Sequence, residues 1–222
     1  MSVSAGQNDP TEREDASVDI VEETAAEGAA ERQTLFTDAV IAIAITLLAL
    51  ELPIPEGTTN HEWLRSAWDH HVEYFAYVLS FVVIAAHWRS HHRAFRYVRS
   101  FGPRIGQLNL LWLFFQVTNP FATKIIADDG PNGVRFGFYG LIQGLACLTL
   151  MVIIGRLTAE ADFRLGADPG LPRRMVTGLA GTAAGFLVSV PLFFVWDQAW
   201  WLWIAIPVVN GAIRRRRATA AG

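Results

Sequence analysis

Six apolar segments constrain what this 222-residue chain can fold into more than any other feature of its sequence. A helix needs about 20 predominantly apolar residues to cross the hydrocarbon core of a bilayer. The third, fourth and fifth segments reach that length, and the others reach it with flanking polar residues, which a bundle tolerates where they face its interior. The segments are residues 35–52, 74–88, 105–126, 136–154, 175–195 and 199–213. The sequence therefore predicts an all-α membrane protein with six transmembrane helices.

The basic residues indicate how these helices are oriented. Of the 18 Lys and Arg residues, all but three fall before the first segment, in the loops after the second and fourth segments, or at the C-terminus. The three exceptions are Arg65, Lys124 and Arg135. Because short basic loops stay in the cytoplasm, we predict that both termini are cytoplasmic. The regular alternation of basic and non-basic loops also supports an even number of helices.

Charge also divides the chain into three predicted parts. Residues 1–31 contain nine acidic residues and one arginine, with too little apolar surface to offset the entropy of ordering, so they are predicted to be a disordered tail. They lack the basic start and apolar core of a signal peptide. Residues 32–213 are the predicted six-helix domain, and residues 214–222 are a basic cytoplasmic tail.

The residue types that support catalysis do not form a known enzyme site. His87 and His91 are four residues apart, as in the histidine boxes of membrane di-iron enzymes, but such centres need roughly eight histidines on one side of the membrane, and this chain has six in all. The main intramembrane serines belong to no nucleophile motif. The single cysteine, Cys147, cannot form an intrachain disulfide or a cysteine-based zinc site. We therefore predict no enzyme activity, no metal site and no cofactor.

The first apolar segment contains the residues that most suggest a function. Arg32 and Asp38 lie at its membrane edge, and Thr46 lies in its middle. Taken alone, these residues have ordinary explanations, with Thr37 or Asp38 capping the helix and Thr46 bonding back to its own helix. One stripe of aliphatic residues recurs at helical spacing, for which ordinary packing is the alternative to a special role. Its members are Val40, Ile43, Leu47 and Leu50.

The start of this segment resembles a known family motif. Arg32, Phe36, Thr37 and Asp38 fall on the Arg-x-x-x-Phe-Ser-Asp motif of the prokaryotic relatives of the endolysosomal potassium channel, transmembrane protein 175, with threonine in place of the usual serine. The similarity continues through the Ala-Ile-Ala-Ile-Thr-Leu-Leu run of the same helix. It extends to Ser80-Phe81 and His87–Phe95 in the second segment and to Asn119–Thr123 in the third. The resemblance therefore covers roughly residues 32–125.

The resemblance implies a potassium-permeable channel that assembles as a homotetramer of six-helix subunits. In such a channel the first helix lines the pore and there is no pore-loop selectivity filter; this chain contains no Thr-Val-Gly-Tyr-Gly-like sequence. By residue-for-residue correspondence, Ile43 is the main constriction, Leu47 and Leu50 extend it, and Thr46 is the hydroxyl associated with selectivity. The structural motif comprises Arg32, Phe36, Thr37 and Asp38, with Trp88 and His91 as its expected partners on another helix.

The expected partners follow from the same resemblance. They are potassium ions, the lipid bilayer of a prokaryotic plasma membrane and further copies of the chain, and no nucleic acid is expected. The outer face is rich in acidic residues, which concentrate cations but do not distinguish potassium from sodium. A proton-conducting channel of the same architecture remains an alternative. So does a secondary transporter that uses the polar face formed by Asn109, Gln116 and Asn119.

Overall fold

The computed structural model describes residues 10–96, 98–128, 132–160, 162–163, 170–196 and 201–203. In these ranges, six helices and two short strands follow one another as α1 (Pro10–Leu50), α2 (Asn60–Asp69), α3 (His71–Phe95), β1 (Val98–Ser100), α4 (Pro103–Ala127), α5 (Gly133–Glu160), β2 (Asp162–Phe163) and α6 (Leu171–Phe193). Five of the helices, all except α2, are long and apolar enough to cross a membrane. These correspond to the first five predicted segments. The sixth, residues 199–213, lies outside the described residues apart from positions 201–203.

The first helix is much longer than the predicted span. It runs without a break from Pro10 to Leu50, so the prediction of a disordered acidic tail is wrong for residues 10–31. Alanine and glutamate, which are frequent in this segment, are strong helix formers. Tertiary contacts also hold it, since Ala30 is buried and Arg99 lies 3.6 Å from Glu23 and 3.8 Å from Glu27. Composition alone misses these contacts because they depend on a loop distant in sequence.

A two-stranded antiparallel sheet joins two loops at one end of the bundle. Val98 of β1 pairs with Phe163 of β2, and Ser100 pairs with Asp162. The sheet therefore brings together the loops that follow α3 and α5, which are two of the basic loops. The ion pairs of Arg99 place the acidic part of α1 at this same end. The loops after α3 and α5, which the charge pattern predicts to lie on one side of the membrane, therefore lie at one end of the bundle.

The opposite end of the bundle carries the short helix α2. Thr59 caps it by accepting a hydrogen bond from the Glu62 backbone at 3.2 Å, and the Glu62 carboxylate in turn accepts from the backbones of Thr58 and Thr59. The Thr58 backbone and hydroxyl bonds are the main reason that the pKa of Glu62 lies below its ordinary value. The chain reaches this cap through Gly57, whose φ of 145° disfavours any other residue.

The interior of the subunit is organised around α5. This helix packs against α4 on one side and α6 on the other, while α1 packs against α3 and α4. Small residues permit the close approach of α5 and α6: a Cβ added at Gly144 would lie 2.6 Å from Leu187, and one at Gly140 would lie 2.9 Å from Val190. The sequence folds into a bundle in which one face of each membrane helix is buried and the other is not.

Candidate functional site

The first helix presents two different faces. On one face, Thr37, Ile41, Ala44 and Leu48 are at most 2% exposed, because they pack against the rest of the subunit. The spacing of three or four residues between them is that of one side of an α-helix. The helix is therefore anchored along its whole apolar length, and its orientation about its own axis is set by these contacts.

The predicted stripe lies on the face that the subunit leaves uncovered. Ile43 is 58% exposed, Leu47 is 40% exposed and Leu50 is 79% exposed, while Val40 is half-buried. Ile45 is on a different side and packs partly against the core. An aliphatic stripe that the described part of its own chain does not cover faces lipid, another subunit or a pore.

Thr46 lies on the same exposed side. Its hydroxyl donates to the Ile43 carbonyl at 2.8 Å, which is the self-bonding that a lone threonine in an apolar helix is expected to make. This bond satisfies the hydroxyl proton and leaves the oxygen able to accept a hydrogen bond. The hydroxyl is thus positioned among the stripe residues.

Asp38 finds its partner on α3. The Trp88 indole N–H donates to the Asp38 carboxylate at 2.8 Å, and both side chains are half-buried. This is one of the two partners that the sequence suggests. Arg32 and Phe36, the other motif residues, are both exposed in the single subunit.

Thr37 is held by a buried chain of hydrogen bonds instead of capping the helix. Its hydroxyl donates to the Gln33 carbonyl at 2.9 Å and accepts from the Asn109 amide at 2.7 Å. The Asn109 oxygen lies 2.7 Å from His91 Nε2, and the His91 ring stacks on Trp112 with centroids 4.6 Å apart. His91 therefore reaches the motif through Asn109 and not through Asp38 or Arg32. Capping is excluded because α1 begins at Pro10, far before Thr37.

Two further groups of buried polar side chains join α3, α4 and α5, closer to the start of α3 than His91 is. In the first, His87 lies 3.2 Å from the Gln116 amide and 3.1 Å from the Cys147 sulfur. In the second, Ser80 lies 3.0 Å from the Tyr139 hydroxyl and accepts from Thr123 at 2.7 Å. A sequence signal for these two groups is a spacing of seven residues between polar positions. It separates Ser80 from His87 and Asn109 from Gln116, and it places each pair on one helix face.

The hydrogen bonds of α3 and α4 bear on two alternative functions, a secondary transporter and a metal-dependent enzyme. The polar face of α4, which suggested a transporter site, is buried and used for contacts within the subunit. His87 and His91 are bonded to neutral side chains, and the described ranges contain no group of three or more His, Cys, Asp or Glu placed to hold a metal ion. The chemistry available on the exposed face of α1 from Ile43 to Leu50 is that of aliphatic groups with one hydroxyl.

Comparison with known proteins identifies the family. Residues 32–120 match the family model described as "Endosomal/lysosomal potassium channel TMEM175". A protein of Streptomyces collinus named potassium channel is 30% identical over 171 residues, which is 74% of this chain and 82% of the relative. The chain belongs to the TMEM175 family. It is accordingly a multi-pass membrane protein, and no enzyme family is indicated.

Other TMEM175 relatives are similar over shorter stretches. A potassium channel of Chryseobacterium is 33% identical over 54% of this chain and 62% of its own length. The endosomal/lysosomal proton channel TMEM175 of Gallus gallus is 36% identical over 42% of this chain, but over only 22% of its own length. The bacterial relative from Streptomyces is therefore the better guide to the whole chain.

A solved structure has the same fold. The crystal structure of a lysosomal potassium-selective channel TMEM175 homologue from Chamaesiphon minutus superposes with a TM-score of 0.69, covering 85% of this chain and 98% of that one. At 23% sequence identity this likeness establishes the fold.

Proposed function

We propose that this chain is the subunit of a homotetrameric, potassium-permeable cation channel whose pore is lined by α1 and has no pore-loop selectivity filter. The observation that most supports the proposal is the exposed aliphatic stripe on a helix whose opposite face is packed into its own subunit. The bacterial relatives that are named potassium channels point to the ion. The channel operates in a prokaryotic plasma membrane with both termini in the cytoplasm.

The mechanism follows from the chemistry of the stripe. Four copies of Ile43 around an axis form a ring of branched hydrocarbon, which excludes water when narrow and passes hydrated ions when it widens. Leu47 and Leu50 extend this constriction toward the outer end of the helix. Thr46 contributes the hydroxyl nearest to the ring, and its size and polarity influence which cations pass.

The motif residues hold the pore helix in place. The bond from Trp88 to Asp38 and the chain from His91 through Asn109 to Thr37 fix α1 against α3 and α4. Arg32 and Phe36 are exposed in a single subunit and contribute to contacts between subunits. In this proposal the motif is structural, and the stripe conducts.

The test is to make the ring polar without adding charge. Ile43→Asn replaces hydrocarbon with an amide that hydrates, so the dewetting barrier falls. We expect the potassium current in liposomes to rise about tenfold. This corresponds to a barrier lowered by about 1.4 kcal/mol. Discrimination between potassium and sodium should weaken. Leu47→Asn should act in the same direction but less strongly.

Two control variants separate a pore effect from general damage to a membrane helix. Val82→Asn introduces the same amide at a 57% exposed apolar position of α3 and should leave the current unchanged. Ile45→Asn places it on the half-packed side of α1 and should reduce assembly or do little. Currents are compared only between variants whose mass in detergent is that of four subunits. An unchanged current in tetrameric Ile43→Asn would remove α1 from the pore.

Proton conduction is a second candidate, because the Gallus gallus relative is named a proton channel. A proton does not need the ring to widen enough for a hydrated potassium ion. Reversal potentials measured with a pH gradient and with a potassium gradient separate the two functions. A potential that follows potassium supports the proposal, and one that follows pH alone assigns the channel to protons.

A further inference from the structure

An ion pair joins the outer end of α1 to α4. Lys124 Nζ lies 2.6 Å from Glu51 Oε2, and the two side chains are 65% and 43% exposed. Glu51 immediately follows Leu50, the last residue of the stripe. Its backbone N–H donates to the Leu48 carbonyl at 3.3 Å, so it lies in a turn directly at the outer end of the helix. The pair thus stands beside the end of the exposed stripe.

Glu51 is the ion-pair partner of Lys124, and Asp128 is near enough to act on Lys124 more weakly. Asp128, one turn after Lys124, is engaged by Arg135, which lies 4.0 Å from its carboxylate and also donates to its backbone carbonyl. Tyr74 donates to the Pro53 carbonyl at 3.0 Å and so fixes the chain just beyond Glu51. The Glu51 carboxylate therefore has Lys124 as its ion-pair partner, next to a segment whose backbone is bonded to Tyr74.

We propose that Lys124 determines the conductance of the channel by neutralising Glu51 at the outer mouth. The inference rests on the proposed function, because it requires α1 to line the pore. Four subunits place four Glu51 carboxylates around the axis, and a ring of this kind concentrates cations from the outer solution. With Lys124 paired to each carboxylate, the ring carries no net charge. Without Lys124, the mouth gains four negative charges.

The test compares Lys124→Gln with the wild type in single-channel recordings. At an ionic strength of about 0.01 M, where the screening length is about 30 Å, we expect the variant to have an about threefold larger inward potassium conductance. At about 1 M, where the screening length is about 3 Å, the difference should disappear. A purely structural role for the ion pair would not give this dependence on salt.

Two further variants fix the sign of the effect. Glu51→Gln leaves Lys124 unpaired at the mouth, so it should lower the conductance at low salt. The double variant Glu51→Gln/Lys124→Gln restores a neutral ring and should conduct like the wild type. If Lys124→Gln does not assemble, the fall in conductance of Glu51→Gln decides the question alone.

The outcomes separate this inference from the proposed function. If Ile43→Asn raises the current but neither Lys124→Gln nor Glu51→Gln changes it at low salt, α1 lines the pore and the inference about Lys124 is wrong. If Ile43→Asn has no effect in intact tetramers, the pore assignment itself fails. An increase for Lys124→Gln that vanishes at high salt, together with the opposite change for Glu51→Gln, supports the inference.

Discussion

The bond between Trp88 and Asp38 shows how a charged residue is accommodated at the edge of a membrane helix. A carboxylate there is costly unless it has a partner, and the indole N–H supplies one from another helix at 2.8 Å. The indole ring of Trp88 has an N–H donor and no acceptor atom, so in this bond Trp88 donates and Asp38 accepts. Both side chains are half-buried, which allows water to replace part of the bond when it is removed.

Removing the indole donor should measure this contact. Trp88→Phe keeps an aromatic ring but leaves the Asp38 carboxylate without the N–H, and we expect a loss of about 1 to 2 kcal/mol in stability. The measurement is thermal unfolding of the purified protein in detergent. Trp68→Phe, at a 73% exposed tryptophan of α2, should have no effect.

A double-mutant cycle with Asp38→Ala, which removes the acceptor oxygen, shows whether the loss belongs to this pair. The two substitutions should together cost less than the sum of their separate effects, because each removes the same bond. Strict additivity would mean that Trp88 stabilises the helix by packing alone.

α1 is one continuous helix of 41 residues. The same helix carries the acidic segment at one end and the exposed stripe at the other. The acidic part borders a cleft of about 430 Å³. On the other side the cleft is lined by Phe95, Arg96, Val98, Arg99 and Phe101. Glu23 and Glu27 meet Arg99 beside this cleft.

The ion pairs of Arg99 should hold the start of α1 only locally. Exposed pairs contribute about 0 to 1 kcal/mol each, so Arg99→Gln should increase hydrogen exchange in residues 19–31 without a measurable change in the unfolding temperature. Arg96→Gln removes a neighbouring exposed arginine and is the matched control. Equal exchange in the wild type and Arg99→Gln would show that the helix persists without these pairs.

The arrangement of the whole molecule places the basic loops after α3 and α5 at one end of the bundle. The strand pairing of residues 98–100 with 162–163 establishes this, and the ion pair between Glu51 and Lys124 marks the opposite end. Which end faces the cytoplasm is a prediction from the positive-inside rule.

Cysteine accessibility should decide the orientation. In a Cys147→Ala background, single cysteines replacing Asn60 or Asn132 should react with an impermeant reagent added outside intact cells. Cysteines replacing Arg96 or Glu160 should not react until the membrane is opened. The reverse pattern would overturn the predicted placement of the termini.

The sequence by itself determined the first five apolar segments and the exposed residues Ile43, Leu47 and Leu50 of the stripe on α1. Both depend on the order of apolar and polar side chains along one chain, and this order can be read without knowing any neighbour. The five described membrane helices and the exposure of Ile43, Leu47 and Leu50 agree with it. The sequence could also name Trp88 as a partner for Asp38, although only through a family resemblance.

Only the tertiary structure decided how the helices are rotated against one another. Asn109 links His91 to Thr37 across separations of 18 and 72 residues, and this link exists only because three helices pack in one register. The ion pairs between the extended part of α1 and Arg99 are contacts of the same kind. Such contacts are fixed by the fit of side chains between elements, and the pattern along a single element does not contain that information.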